Sequence, residues 1–153
     1  MNSPLLTVTA AELAADPSAR LWALVLYLAE RPELHSSAEF GEFWLAYVYD
    51  AEVLNGGHLQ YFHNRGTEAV PVTLVALHEI GADEHAAILA DCWSQVRQDP
   101  VSRVSSLEQY SSLAAERSFS AEDSAYFQVK PEVLSLLESH YEPLLVRSVA
   151  VDA

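Results

Sequence analysis

The chain has 153 residues, half of them hydrophobic, and carries 22 Asp and Glu against 8 Lys and Arg, a formal net charge of −14. That length suits one ordinary domain with a sizeable core, and the apolar content excludes a disordered chain. Residues 1–50, 51–100 and 101–153 hold 7, 7 and 8 acids against 2, 2 and 4 bases, so the charge belongs to the whole fold and disfavours direct binding to nucleic acid or to an anionic membrane.

Helix signals recur along the chain. Thr9-Ala10-Ala11-Glu12 reads as a capping box. Asp16-Pro17 reads as an N-cap followed by proline at the first helical position. The segment from there to Glu30 is apolar nearly all round, as in a central core helix, and Pro32 stops it. Ser36 and Glu39 suggest a second capping box, opening a helix over 38–54. Phe40, Phe43, Trp44, Tyr47, Ala51 and Leu54 share one of its faces.

Asn55-Gly56-Gly57 should end that helix, with a short one following near His58–Asn64. Thr67 is a cap for a helix from Glu68 to Ile80, and Gly81 its end. Asp83 should cap a helix from Glu84 to Gln98, with Ile88, Leu89, Cys92 and Val96 inside. A helix over Ser105–Arg117, one from Ser120 with Tyr126 and Phe127 inside, and one over Glu132–His140 complete the series. The tail Leu144–Val149 fits either a short strand or a packed extension. The expected fold is all-α, a single compact domain (residues 1–153) of about seven or eight helices, with a possible short C-terminal strand or extension.

Met1–Ala10 lacks the basic start and apolar run of a signal peptide. The longest strongly apolar run, Leu21–Ala29, is far shorter than the ~20 residues that span a bilayer. The lone cysteine, Cys92, leaves no intramolecular disulfide and sits on an apolar helix face as an inert thiol. A cytoplasmic protein is expected.

Catalytic and metal signatures are missing. His78 and His85 are seven apart, about 10.5 Å of helical rise, too far for one ion with ~2 Å bonds. His58 and His63 point about 140° apart on a helix. His78-Glu79 does not continue to His-Glu-x-x-His, since Ala82 holds the last position. No Gly-x-Ser-x-Gly, phosphate-cradling loop or dinucleotide fingerprint occurs. The expectation is no enzyme, no catalytic residue, no metal and no cofactor. Asn55, Gln60 and Asn64 stand out as polar residues. They read as structural amides at the glycine break or, alternatively, as the lining of a small polar ligand pocket or enzymatic site.

The segment Glu52-Val53-Leu54-Asn55-Gly56-Gly57-His58-Leu59-Gln60-Tyr61-Phe62-His63-Asn64, followed by Ala76-Leu77 and Ile80-Gly81-Ala82, resembles the bacterial DNA-mimic protein family. His58 departs from that pattern, which usually has an aromatic there, and so does Arg65-Gly66-Thr67. The resemblance extends in spacing from about Phe40 to His140. It implies an all-α fold that self-associates, commonly as a homodimer, without known catalysis. It also implies an acidic surface that occupies the DNA-binding face of a basic partner such as a transcriptional regulator. Asn55, Gly56, Gly57, Gln60, Tyr61, Phe62 and Asn64 then read as scaffolding.

Candidate partner-binding residues come from the acidic helix faces. At about 100° per residue, Glu39, Glu42 and Asp50 fall together beside the apolar face of the 38–54 helix and should be solvated. Glu84 and Asp91 form a similar stripe on the later helix. Acids three or four apart on a helix stand ~5–6 Å from each other, a spacing that a basic protein could read much as it reads phosphates. An immunity-type inhibitor of a basic toxin would use the same physics, and ordinary solvated helix faces are the plainer alternative.

Overall fold

The computed structural model describes residues 4–153. Met1–Ser3, the start of the segment read above for a leader, lie outside the described residues. The elements are β1 (Leu6–Thr9), α1 (Ala10–Ala15), α2 (Ala19–Ala29), a 3-10 turn (Pro32–Leu34), α3 (Gly41–Arg65), α4 (Val70–Glu79), α5 (Asp83–Gln98), α6 (Leu107–Glu116), α7 (Ser120–Gln128), α8 (Val133–His140), α9 (Glu142–Ser148) and β2 (Val149–Asp152). The fold is all-α apart from one two-stranded sheet, and about 70% of the chain is helical.

Local chemistry explains several boundaries. Thr9 Oγ1 accepts from Glu12 N at 3.1 Å while the Glu12 carboxylate accepts from Thr9 N at 2.7 Å, so the expected capping box opens α1. Ser106 caps α6 by accepting from Gln109 N. Gly81 closes α4 at φ 78°, a conformation that residues with a Cβ resist.

Other boundaries move. Ser18 rather than Asp16 precedes α2, and Asp16 accepts from Ser18 N instead. The capping box at Ser36 and Glu39 does not form. The chain turns through Ser37, whose hydroxyl accepts from Phe40 N, and the helix begins only at Gly41. Asp83 does not cap α5. It is the first residue of that helix, and its carboxylate sits 2.6 Å from His78 Nδ1.

α3 is the central element, packed against α4, α7 and α8, while α5 joins α4 to α7. Its buried side chains include Phe43, Ala46, Tyr49, Val53, Leu59, Tyr61 and Phe62, each large one contributing about 1.5–3 kcal/mol on leaving water. α2 is not a fully buried core helix. Leu21, Leu24, Val25 and Leu28 face inward, but Leu26 is 69% exposed and Trp22 is also on the surface. Phe127, expected inside, is 53% exposed, whereas Tyr126 is buried.

The tail Leu144–Val149 is helical instead, forming most of α9 with Pro143 in its first turn, and only Val149 enters a strand, β2. β2 pairs in parallel with β1, Leu6 opposite Val149 and Thr9 opposite Asp152. Sequence reading did not anticipate β1. No helix among the described residues is long and apolar enough to cross a membrane.

Candidate functional site

The glycine pair lies at the middle of α3. Gly57 has φ 73° and ψ −175°, a region essentially closed to other residues, and Gly56 is also non-helical. The hydrogen-bonded run continues through Arg65, yet the axis breaks here as the sequence indicates. A Cβ on Gly57 would stand 2.3 Å from Asp123 Oδ2, and one on Gly56 would stand 2.1 Å from Gln60 Oε1. The two glycines therefore make room for polar side chains that close over the break.

One of these is Asp123 of α7. Its Oδ1 accepts from His58 N at 2.9 Å and lies 2.6 Å from His58 Nδ1, satisfying the freed N-terminus of the second half of α3. His58 Nε2 lies 2.8 Å from the Tyr49 hydroxyl. A neutral imidazole fits: Nδ1–H donates to the carboxylate, and Nε2 accepts from the phenol. Burial pushes the Tyr49 hydroxyl well above its ordinary value, which keeps it a donor. Tyr49 and His58 are both 0% exposed. The chain Tyr49–His58–Asp123 has the connectivity of a proton relay, with its Tyr49 and His58 members buried and its Asp123 side chain 26% exposed.

The second closure is Glu52. On an unbroken helix it would sit about 12 Å from Gln60 and 18 Å from Asn64 along the axis. The break brings all three together. Glu52 Oε2 accepts from Gln60 Nε2 and from Asn64 Nδ2, both at 2.9 Å, and Oε1 accepts from Arg65 Nε at 3.0 Å. The Glu52 side chain is only 11% exposed. Gln60 and Asn64 are thus committed to the fold, while Asn55 is exposed, so the three amides do not converge on one pocket. Tyr61 and Phe62 are core residues.

The candidate acidic residues separate. Asp50 is buried, 5% exposed, and its Oδ1 accepts from the Tyr126 hydroxyl at 2.6 Å. The expectation that it is solvated beside Glu39 and Glu42 is therefore wrong. Helix α3 starts only after Glu39, and its position 50 faces α7, from which Tyr126 reaches the carboxylate. Burial raises the Asp50 pKa, the Tyr126 hydrogen bond opposes this, and Glu132 adds to it. Glu39 is exposed and paired with Arg147 at 3.1 Å. Glu42, Glu84 and Asp91 are exposed, with no ion-pair partner among the described residues.

Sequence reasoning missed Glu79, which with Glu42 acts on Tyr141. Burial first, then these two charges, push the Tyr141 hydroxyl up to about 12. It also missed Tyr49, Asp123 and Glu52 as the residues that hold the break, although Glu52 opens the motif.

The basic side chains are all engaged inside the fold. Arg31, Arg65, Arg117, Lys130 and Arg147 pair with carboxylates. Arg20 and Arg103 donate to backbone carbonyls, and Arg97 lies over the Trp93 ring, 4.4 Å from its centroid. The acidic surplus thus stays uncompensated. No group of three or more His, Cys, Asp or Glu among the described residues is placed to hold a metal ion. Cys92 is buried, and burial raises its thiol pKa further from reactivity.

Comparison with the curated proteins gives no match, and neither does comparison with the solved structures. Residues 37–144 match the family described as DMP19-like protein. That span runs from the turn before α3 to the start of α9 and takes in both closures of the glycine break. With well over half its length matched, the chain belongs to the DMP19-like protein family.

Proposed function

We propose that this protein is an acidic interaction module of the DNA-mimic type, occupying the DNA-binding face of a basic partner such as a transcriptional regulator. The observation that carries this reading is the disposition of charge. Every Lys and Arg is already engaged within the fold, while Glu42, Glu84 and Asp91 face solvent with no ion-pair partner among the described residues. Such a surface attracts a protein built to grip phosphates and repels nucleic acid itself. The motif's polar residues support the same reading by elimination, since Gln60 and Asn64 are spent on Glu52.

No catalysis, cofactor or metal belongs to this proposal. A homodimer does, as the family resemblance implies, and so does a cytoplasmic location, which suits a lone cysteine that forms no intramolecular disulfide.

The test is a four-site charge reversal of Glu39, Glu42, Glu84 and Asp91 to Lys, with partner binding measured across a salt series and against competing duplex DNA. Wild-type binding should fall steeply with salt, because screening shortens the reach of surface charge to about 8 Å at physiological ionic strength. DNA should displace the protein, and the variant should lose binding while keeping its helical signal. A complex indifferent to both salt and DNA would rule the reading out.

A further inference from the structure

A cleft of about 260 Å³ opens between α3, α7 and α8 and reaches His85 of α5. Its walls are carbon: Leu54 and Phe127, each about half exposed, with Val133 and Leu134. Its polar lining contains no Lys or Arg. Asp50 contributes a carboxylate whose Oδ1 takes the Tyr126 hydroxyl and whose Oδ2 has no hydrogen-bond partner among the described residues. Glu132 adds a second carboxylate, shared with Lys130. His85 is 2% exposed, and its buried Nδ1 has no partner.

These features select a class of occupant. Two carboxylates and an imidazole with an unspent nitrogen call for a donor carrying positive charge. A neutral apolar group would leave Asp50 Oδ2 and His85 Nδ1 unpaired, at a cost. A hard metal ion needs about six oxygen ligands, and this cleft is mostly carbon. A cation on a flexible methylene stem satisfies both halves, the stem against Leu54 and Leu134, the head against Asp50 and beside the Phe127 ring. We propose that the cleft is a socket for an arginine or lysine side chain of the basic partner. This rests on the reading of the protein as an acidic interaction module, and it adds one anchoring point to an otherwise diffuse charged surface.

The experiment has two arms. In the first, the full-length protein, isotopically labelled, is titrated with N-acetyl-arginine amide and with its uncharged citrulline counterpart, and amide and imidazole NMR shifts are followed. Arginine-specific shifts should gather at Leu54, His85, Phe127 and Leu134 and vanish in Asp50→Asn. Shifts spread over all acidic helix faces, or equal shifts with citrulline, overturn the socket. In the second arm, partner affinity is measured for Asp50→Asn and for Leu54→Arg, an exposed site from which the new side chain can fill the cleft. Each should weaken binding by about tenfold, as loss of one anchor does, with the melting temperature confirming a folded chain. Undiminished affinity that still falls with salt overturns the socket and leaves the acidic-surface reading standing. Cleft-localised probe binding without any effect on the partner assigns the cleft to a free amine and likewise overturns the side-chain socket.

Discussion

The polar residues around the glycine break and the acids on the outer helix faces have similar chemistry and opposite fates. Around the break every carboxylate is consumed. Asp123 holds His58, and Glu52 holds Gln60, Asn64 and Arg65. On the outside, Glu42, Glu84 and Asp91 hold no ion-pair partner among the described residues. The lesson is that prominence in a motif marks the demands of the fold here, and that the free chemistry lies in residues no motif marks. Removing a partner from the first region should destabilise the protein, whereas changing the second should alter only what it meets.

The largest effect is expected at Gly57. Gly57→Ala forces a Cβ into a backbone region that only glycine occupies freely, and into the Asp123 carboxylate. A loss of about 3–5 kcal/mol in a denaturant titration is expected. A loss below about 1 kcal/mol would mean that the break tolerates side chains and that the comparison is misdrawn.

Next comes His58→Phe, which keeps a flat ring and removes both ring nitrogens. The ring would fit the aromatic surroundings of Tyr49, Phe119 and Tyr126. It would leave the Tyr49 hydroxyl without its partner and Asp123 with only the backbone N–H. Destabilisation by about 1–3 kcal/mol follows from unpaired buried groups. A more stable variant would show that the relay is dispensable and that this chain merely tolerates its histidine.

The smallest and most diagnostic effect is at Asp50, on the border between the two regions. Its folded pKa is raised by burial, so the native state keeps a proton that the unfolded chain has already released. Stability therefore falls as pH rises from the ordinary carboxylate value through the raised one, and the penalty persists at neutral pH. Asp50→Asn keeps an acceptor for Tyr126 and removes the charge. Melting temperatures across pH 4–8 should show the variant at least as stable as wild type near neutrality, with a flatter profile above pH 4. A variant that is less stable at neutral pH would mean that the ionised hydrogen bond to Tyr126 outweighs desolvation.

The sequence by itself determined the helical class, the inert Cys92, the capping box at Thr9–Glu12, the stop at Gly81 and the break at Gly56-Gly57, because each rests on contacts within a few residues or on the backbone freedom of glycine. The family resemblance was legible for the same reason, since the residues that carry it lie within the single stretch Glu52–Ala82. Only the tertiary structure decided which acids are free. A helical wheel assigned Asp50 to solvent from the residues on its own helix, but Tyr126, 76 positions away, takes it inward. Glu52 meets Gln60 and Asn64 only because the axis bends between them, and Asp123 reaches His58 across 65 positions. The pairing of β1 with β2 joins the two ends of the chain, where four residues on each side carry no periodicity long enough to announce a sheet. Long-range pairing depends on how the helices pack, and one-dimensional spacing holds no record of it.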